Sequence, residues 1–131
     1  MNILLIQTDQ QRRDSLPCYG NRLVGAPHIQ RLAAGGIVFD NALTTVPLCA
    51  PARASLLTGR RPIHHGILFN VESGCVAGRD FIGPQTGYGQ CLNQIGFRCT
   101  PGGKWQIGTK AGAAHSGPEG VFSSGFGTPP V

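Results

Sequence analysis

The chain has 131 residues with a formal net charge of +5, and 20 Gly plus 10 Pro make nearly a quarter of it, about twice the ordinary combined share of roughly 12%. That length admits one domain at most, with a modest core and much loop. The eleven Lys and Arg are scattered, with only Arg12-Arg13 and Arg60-Arg61 adjacent, and this leaves no basic helix or aromatic-basic interleaving for nucleic acid.

In chain order, Asn2 to Thr8 is a continuous apolar run without alternation, the pattern of a parallel strand covered on both faces. It predicts a first central strand with Asp9 at its carboxyl end, where open α/β sheets place their ligands. Position alone favours a turn or cap Asp. Pro27 to Ala34 predicts a helix with Pro first, Ile29, Leu32 and Ala33 on one face, and Gly35-Gly36 as its stop. Ile37-Val38-Phe39 predicts a second strand, and Val46-Pro47-Leu48 leads into Cys49.

Residues 49 to 60, Cys-Ala-Pro-Ala-Arg-Ala-Ser-Leu-Leu-Thr-Gly-Arg, organise the rest. Pro51 suits a first helical position, Ala52, Ala54, Leu56 and Leu57 are good helix formers, and Thr58-Gly59 reads as the stop. Cys49 then sits at a helix mouth, where unpaired N–H groups and the dipole favour negative charge. Arg53 follows one turn later, so its guanidinium can fork onto a tetrahedral oxyanion beside Cys49. Arg60 to Gly66 predicts a turn, with the adjacent His64 and His65 taken as structural. Phe69 to Gln85 predicts Gly-rich loops. Tyr88, Cys91, Leu92 and Ile95 fall at helical spacing and predict an amphipathic helix closed by Gly96, with Cys91 in the core. Gly96 to Gly108 holds a short strand and then Lys104-Trp105-Gln106, although Pro101-Gly102 is poor strand sequence. Residues 111–131 read as Gly/Ser/Pro-rich loop or tail.

Five cysteines with no C-x-x-C pair argue against a disulfide framework or zinc knuckle. The run from Ile3 to Ile6 is too short for a signal-peptide core and Asp9 breaks it, and no segment is long enough to cross a membrane. The chain as given is therefore expected to be cytoplasmic, with no membrane partner.

Cys49-x-Pro51-x-Arg53 followed by Thr58-Gly59-Arg60, together with Gly103-Lys104-Trp105-Gln106-Ile107-Gly108, resembles the sulfatase family. The likeness covers residues 2 to about 108, so the chain is expected to comprise part of a sulfatase catalytic domain over 1–110, and it looks like the N-terminal fragment of an enzyme. The resemblance implies an α/β fold, the N-terminal part of an alkaline-phosphatase-like domain with a mostly parallel sheet flanked by helices. It implies that Cys49 is oxidised by a formylglycine-generating enzyme to formylglycine, whose hydrate attacks sulfur and hydrolyses a sulfate ester of a small molecule or glycan. Arg53 and Lys104 would hold the sulfonyl oxygens. Asp9, Gln10 and Cys49 would ligate a calcium or magnesium ion. Two departures stand out: Gln10 stands where the family usually has a second Asp, and Gln106 where it has a His. Gln10 brings no charge, and Gln106 cannot shuttle a proton. The same residues also allow a phosphonate or phosphodiester hydrolase of the superfamily, or a truncated relative without catalysis.

Overall fold

The computed structural model describes residues 1–70, 82, 85–100, 102–104, 106 and 107, and the backbone of 121–123. The chain divides into two compact units, Met1–Leu43 and Thr44–Val131.

In the first unit the run from Asn2 to Thr8 carries no strand, and neither does Ile37 to Phe39. Both had strand sequence. Leu4 is 84% exposed and Ile37 also 84%. A strand exists only as one member of a ladder, and among the described residues neither run has a ladder partner. Asp9 and Gln10 follow as an exposed bend. Two 3₁₀ turns, Arg13–Ser15 and Pro17–Tyr19, come next and end at Gly20 with φ +94°. Local polar bonds hold this loop. Asn21 accepts the amides of Leu23 and Val24 at 2.8 and 2.9 Å and donates to the Asp14 carbonyl at 2.7 Å. The Tyr19 hydroxyl donates to the Phe39 carbonyl at 2.9 Å, and the Arg13 guanidinium lies 4.6 Å from the Tyr19 ring centre. Helix α1 spans Pro27–Gly35, as its Pro and Gly signals predict. Its expected apolar face is uncovered, with Leu32 70% exposed.

The second unit is built around helix α2, Cys49–Thr58. Ala50, Ala54 and Leu57 recur at the spacing of one helical face and form the buried cluster with Ile67 and Ile107. Gly59 ends the helix at φ +66°, its N–H donating to the Ser55 carbonyl at 2.8 Å. The left-handed conformation there is one that glycine adopts without a Cβ penalty. The predicted turn at 60–66 contains a short helix, α3, Pro62–His65, closed by Gly66 at φ +87°. Helix α4 is Tyr88–Gln94. The Gly96 amide bonds the Asn93 carbonyl and the Phe97 amide the Leu92 carbonyl, a Schellman closure that agrees with the Gly96 stop. Cys91 is exposed rather than in the core, because Gly89 is the buried position of this helix.

Strand β1, Gly102–Lys104, pairs in parallel with β2, Val121–Ser123, Lys104 lying opposite Ser123. Residues 121–123, expected to be loop or tail, thus include a strand. The rest of 111–131 lies outside the described residues, as do Trp105, Pro101 and most of the predicted loops between 71 and 84. Among the described residues no helix is long and apolar enough to cross a membrane.

Candidate active site

Cys49 is the first residue of α2, two residues earlier than a start at Pro51 would give. Pro is tolerated anywhere in the first turn, because none of those N–H groups has an intrahelical acceptor, so Pro51 alone does not choose the starting residue. Leu48, the capping residue, has no side-chain oxygen, and no side chain of its own caps the helix. The acceptor comes from elsewhere. Asn70 Oδ1 takes the Ala50 N–H at 2.9 Å across 20 positions of sequence, and the Ala52 N–H reaches the Leu48 carbonyl at 2.9 Å. Pro51 has none to offer. The expected set of open amide donors beside Cys49 is therefore corrected: Ala50 and Ala52 have spent theirs inside the protein. An anion at this helix end would rely on the dipole and on side chains.

Asn70 is the residue that reading the sequence missed. Its signal is invisible along the chain, since nothing in its spacing from Ala50 marks a helix cap.

Arg53 lies one turn beyond Cys49 and is half-buried. Its Nη1 donates to the Lys104 carbonyl at 2.8 Å, which ties α2 to β1. The structure therefore brings the second sequence motif to the first: Arg53 and Lys104 come from positions 51 apart and meet at one place. Cys49 is partly exposed. Gln106, just after β1, holds φ +50°, and Gln10 in the other unit holds φ +56°. Both family departures thus occupy the left-handed region, where Asp, Asn and His are the more usual non-glycine residues. Asp and His fit that backbone better than Gln, whose longer side chain makes local hydrogen bonds less readily.

His65 is completely buried. Its Nδ1 accepts the Ile67 N–H at 3.1 Å and its Nε2 lies 3.0 Å from Ser55 Oγ. Burial first, and then the charge of neighbouring His64, lower its pKa from the usual 6.5. This agrees with a structural rather than proton-transferring His.

In the first unit a cleft of about 230 Å³ is lined by Thr8, Gln11, Arg12, Arg13, Tyr19 and Asp40 among others. Arg12 pairs with Asp14 and Arg13 with Asp40, so its guanidinium charges are already offset by carboxylates.

The comparisons with known proteins decide what these residues belong to. The family model described as Sulfatase matches residues 1–126. The chain belongs to the sulfatase family. Steryl-sulfatase of Rattus norvegicus is 35% identical over 98% of this chain, and Arylsulfatase A of Homo sapiens 36% over 92%. Iduronate 2-sulfatase of Mus musculus is 52% identical over 47% of this chain. The chain spans about a quarter or less of those relatives, 24%, 22% and 11% of their respective lengths. Membership in the sulfatase family carries the alkaline-phosphatase-like α/β fold class, and the β1–β2 pair supplies one parallel pairing.

Proposed function

We propose that this sulfatase-family chain carries the nucleophile of a sulfuric ester hydrolase, with Cys49 in its formylglycine form. The supporting observation is the Arg53 to Lys104 contact at 2.8 Å, made from the helix that starts at Cys49. It gathers the two motifs with which the family likeness began.

In this reading the aldehyde at position 49 is hydrated to a geminal diol. One hydroxyl loses its proton and attacks sulfur, the S–O bond to the substrate's alcohol breaks, and the alcohol leaves with a proton. The sulfate is now esterified to residue 49. The second hydroxyl then loses its proton, its oxygen electrons form the carbonyl, and the C–O bond to sulfate breaks. Water restores the diol. Charge grows on the sulfonyl oxygens, and fixed cations there stabilise the transition state more than the ground state. Arg53 offers a planar fork for two oxygens and Lys104 a point charge. Gln106 does not move protons, so the departing alcohol takes its proton from another group or from water.

A calcium or magnesium ion belongs to this proposal. Asp9 and Gln10 supply hard oxygen donors of the kind such an ion takes. Among the described residues, however, no group of three or more His, Cys, Asp or Glu side chains converges, and six to eight oxygens are the usual calcium complement. The described donor set is thus incomplete, and no step above is routed through the ion. The substrate is a sulfate ester, with a formylglycine-generating enzyme as the required partner.

The test is turnover of an aryl sulfate by the chain co-expressed with that enzyme, with Cys49→Ala as control. Hydrolysis lost in the variant supports the reading. Turnover confined to an aryl phosphonate would replace it with a phosphonate or phosphodiester hydrolase, and no turnover of either ester points to a relative without catalysis.

A further inference from the structure

We propose that His65 is a positioning residue: held in its Nε2–H tautomer, it anchors Ser55 and, through Ser55, Thr45, and so brackets the stretch that presents Cys49 and Arg53. This rests on the reading of Cys49 and Arg53 as the site. The tautomer follows from the partners. An amide can only donate, so the Ile67 N–H at 3.1 Å from Nδ1 requires that nitrogen to be bare. The neutral ring then carries its proton on Nε2, 3.0 Å from Ser55 Oγ. Ser55 Oγ accepts that N–H as a hydrogen-bond acceptor and shares a second hydrogen bond with Thr45 Oγ1 at 3.1 Å, in which either hydroxyl can donate.

The His65 carbonyl accepts the Ile82 N–H at 3.0 Å, so both backbone and ring of His65 are held. Ser55 is on α2, two positions beyond Arg53, and Thr45 lies four positions before Cys49. The bond between them closes the chain on either side of Cys49 into a loop. The buried stripe of Ala50, Ala54 and Leu57 is apolar, and packing of that kind is non-directional. Directional ties come from the Asn70 bond to Ala50 and the Arg53 bond to Lys104 in the first half of α2, and the buried imidazole adds one at Ser55, further along the helix. An error of about 1 Å at a reacting group can cost roughly a hundredfold in rate, so such a tie matters for turnover out of proportion to its stability.

The test uses the full chain and two nearly isosteric variants, Ser55→Val and Ser55→Thr, which differ by one hydroxyl. Nitrogen-15 imidazole spectra are expected to show His65 protonated at Nε2 and bare at Nδ1. At a temperature where circular dichroism shows all three proteins folded, Ser55→Val is expected to lower kcat about tenfold or more with little change in KM, and Ser55→Thr to restore it. A ring protonated at Nδ1, or a Val variant as active as the Thr variant, overturns the proposal. If the wild-type chain turns over no sulfate ester, the sulfatase reading fails separately. The spectrum and iodoacetamide alkylation of the unconverted Cys49 thiol then decide the inference. Alkylation is expected to rise several-fold in Ser55→Val only, and equal rates in the two variants overturn it.

Discussion

Asn70→Ala isolates the least obvious support of the site. The substitution removes the acceptor for the Ala50 N–H, now met at 2.9 Å, and Ala50 is wholly buried. An amide left without a partner in such a place costs about 1–3 kcal/mol, and loss of a helix cap typically about 1. Asn70 itself is only half-buried, so water recovers part of the bond and about 1.5 kcal/mol is the expected loss. That is roughly a tenfold fall in the folded-to-unfolded ratio. With an unfolding entropy near 2.1 cal/mol/K per residue, the 131 residues give a fall in melting temperature of about 5 °C. Asn70→Asp keeps an acceptor oxygen and adds negative charge at a helix start, so it should melt within about 2 °C of wild type. Thermal melts followed by circular dichroism, with amide exchange at Ala50, check both. If Asn70→Ala melts like the wild type and the Ala50 amide exchanges no faster, the cap does not exist in solution and the description of the α2 mouth is wrong.

Gly59→Ala should cost about 1 kcal/mol, because φ is +66° and no atom lies within 4 Å of the added Cβ, so the penalty is conformational alone; Gly59→Asn should recover much of it in the same melts. His65 sets a pH dependence. Its folded pKa lies below the ordinary 6.5, so the unfolded chain binds more protons, and stability is retained above about pH 6.5 and lost as pH falls through the depressed folded value. Urea midpoints should therefore drop on acidification from about pH 7.5 to about pH 5, and less so in His65→Asn; a midpoint that rises on acidification contradicts the assignment. Arg53→Lys keeps the charge but loses the planar fork. It should lower aryl-sulfate turnover about a hundredfold, and unchanged kinetics would remove Arg53 from the transition state.

What was legible along the chain was local. Pro27 and Gly35 delimit α1, Gly59 stops α2 and Gly96 stops α4, because Pro fixes φ and Gly opens the left-handed region without help from distant residues. The strand sequence at 2–8 and 37–39 did not translate into strands, since pairing is a property of two segments and the described residues supply no second one. The apolar face read onto α4 failed at Cys91 for a related reason: helical spacing says which residues share a face but not whether anything covers it. In the site, the family likeness singled out Cys49, Arg53 and Lys104, and the structure joins the last two. Asn70 and the Ser55–Thr45 link to His65 stayed hidden, because each is a bond between residues 10 or 20 positions apart that carries no periodic trace.

The most direct measurement is the mass of the tryptic peptide Leu32–Arg53, taken from chain co-expressed with a formylglycine-generating enzyme. The account predicts a peptide in which residue 49 has lost its sulfur, is lighter than the thiol form, and reacts with an aldehyde-specific hydrazide. A peptide carrying Cys49 as an alkylatable thiol throughout would contradict it.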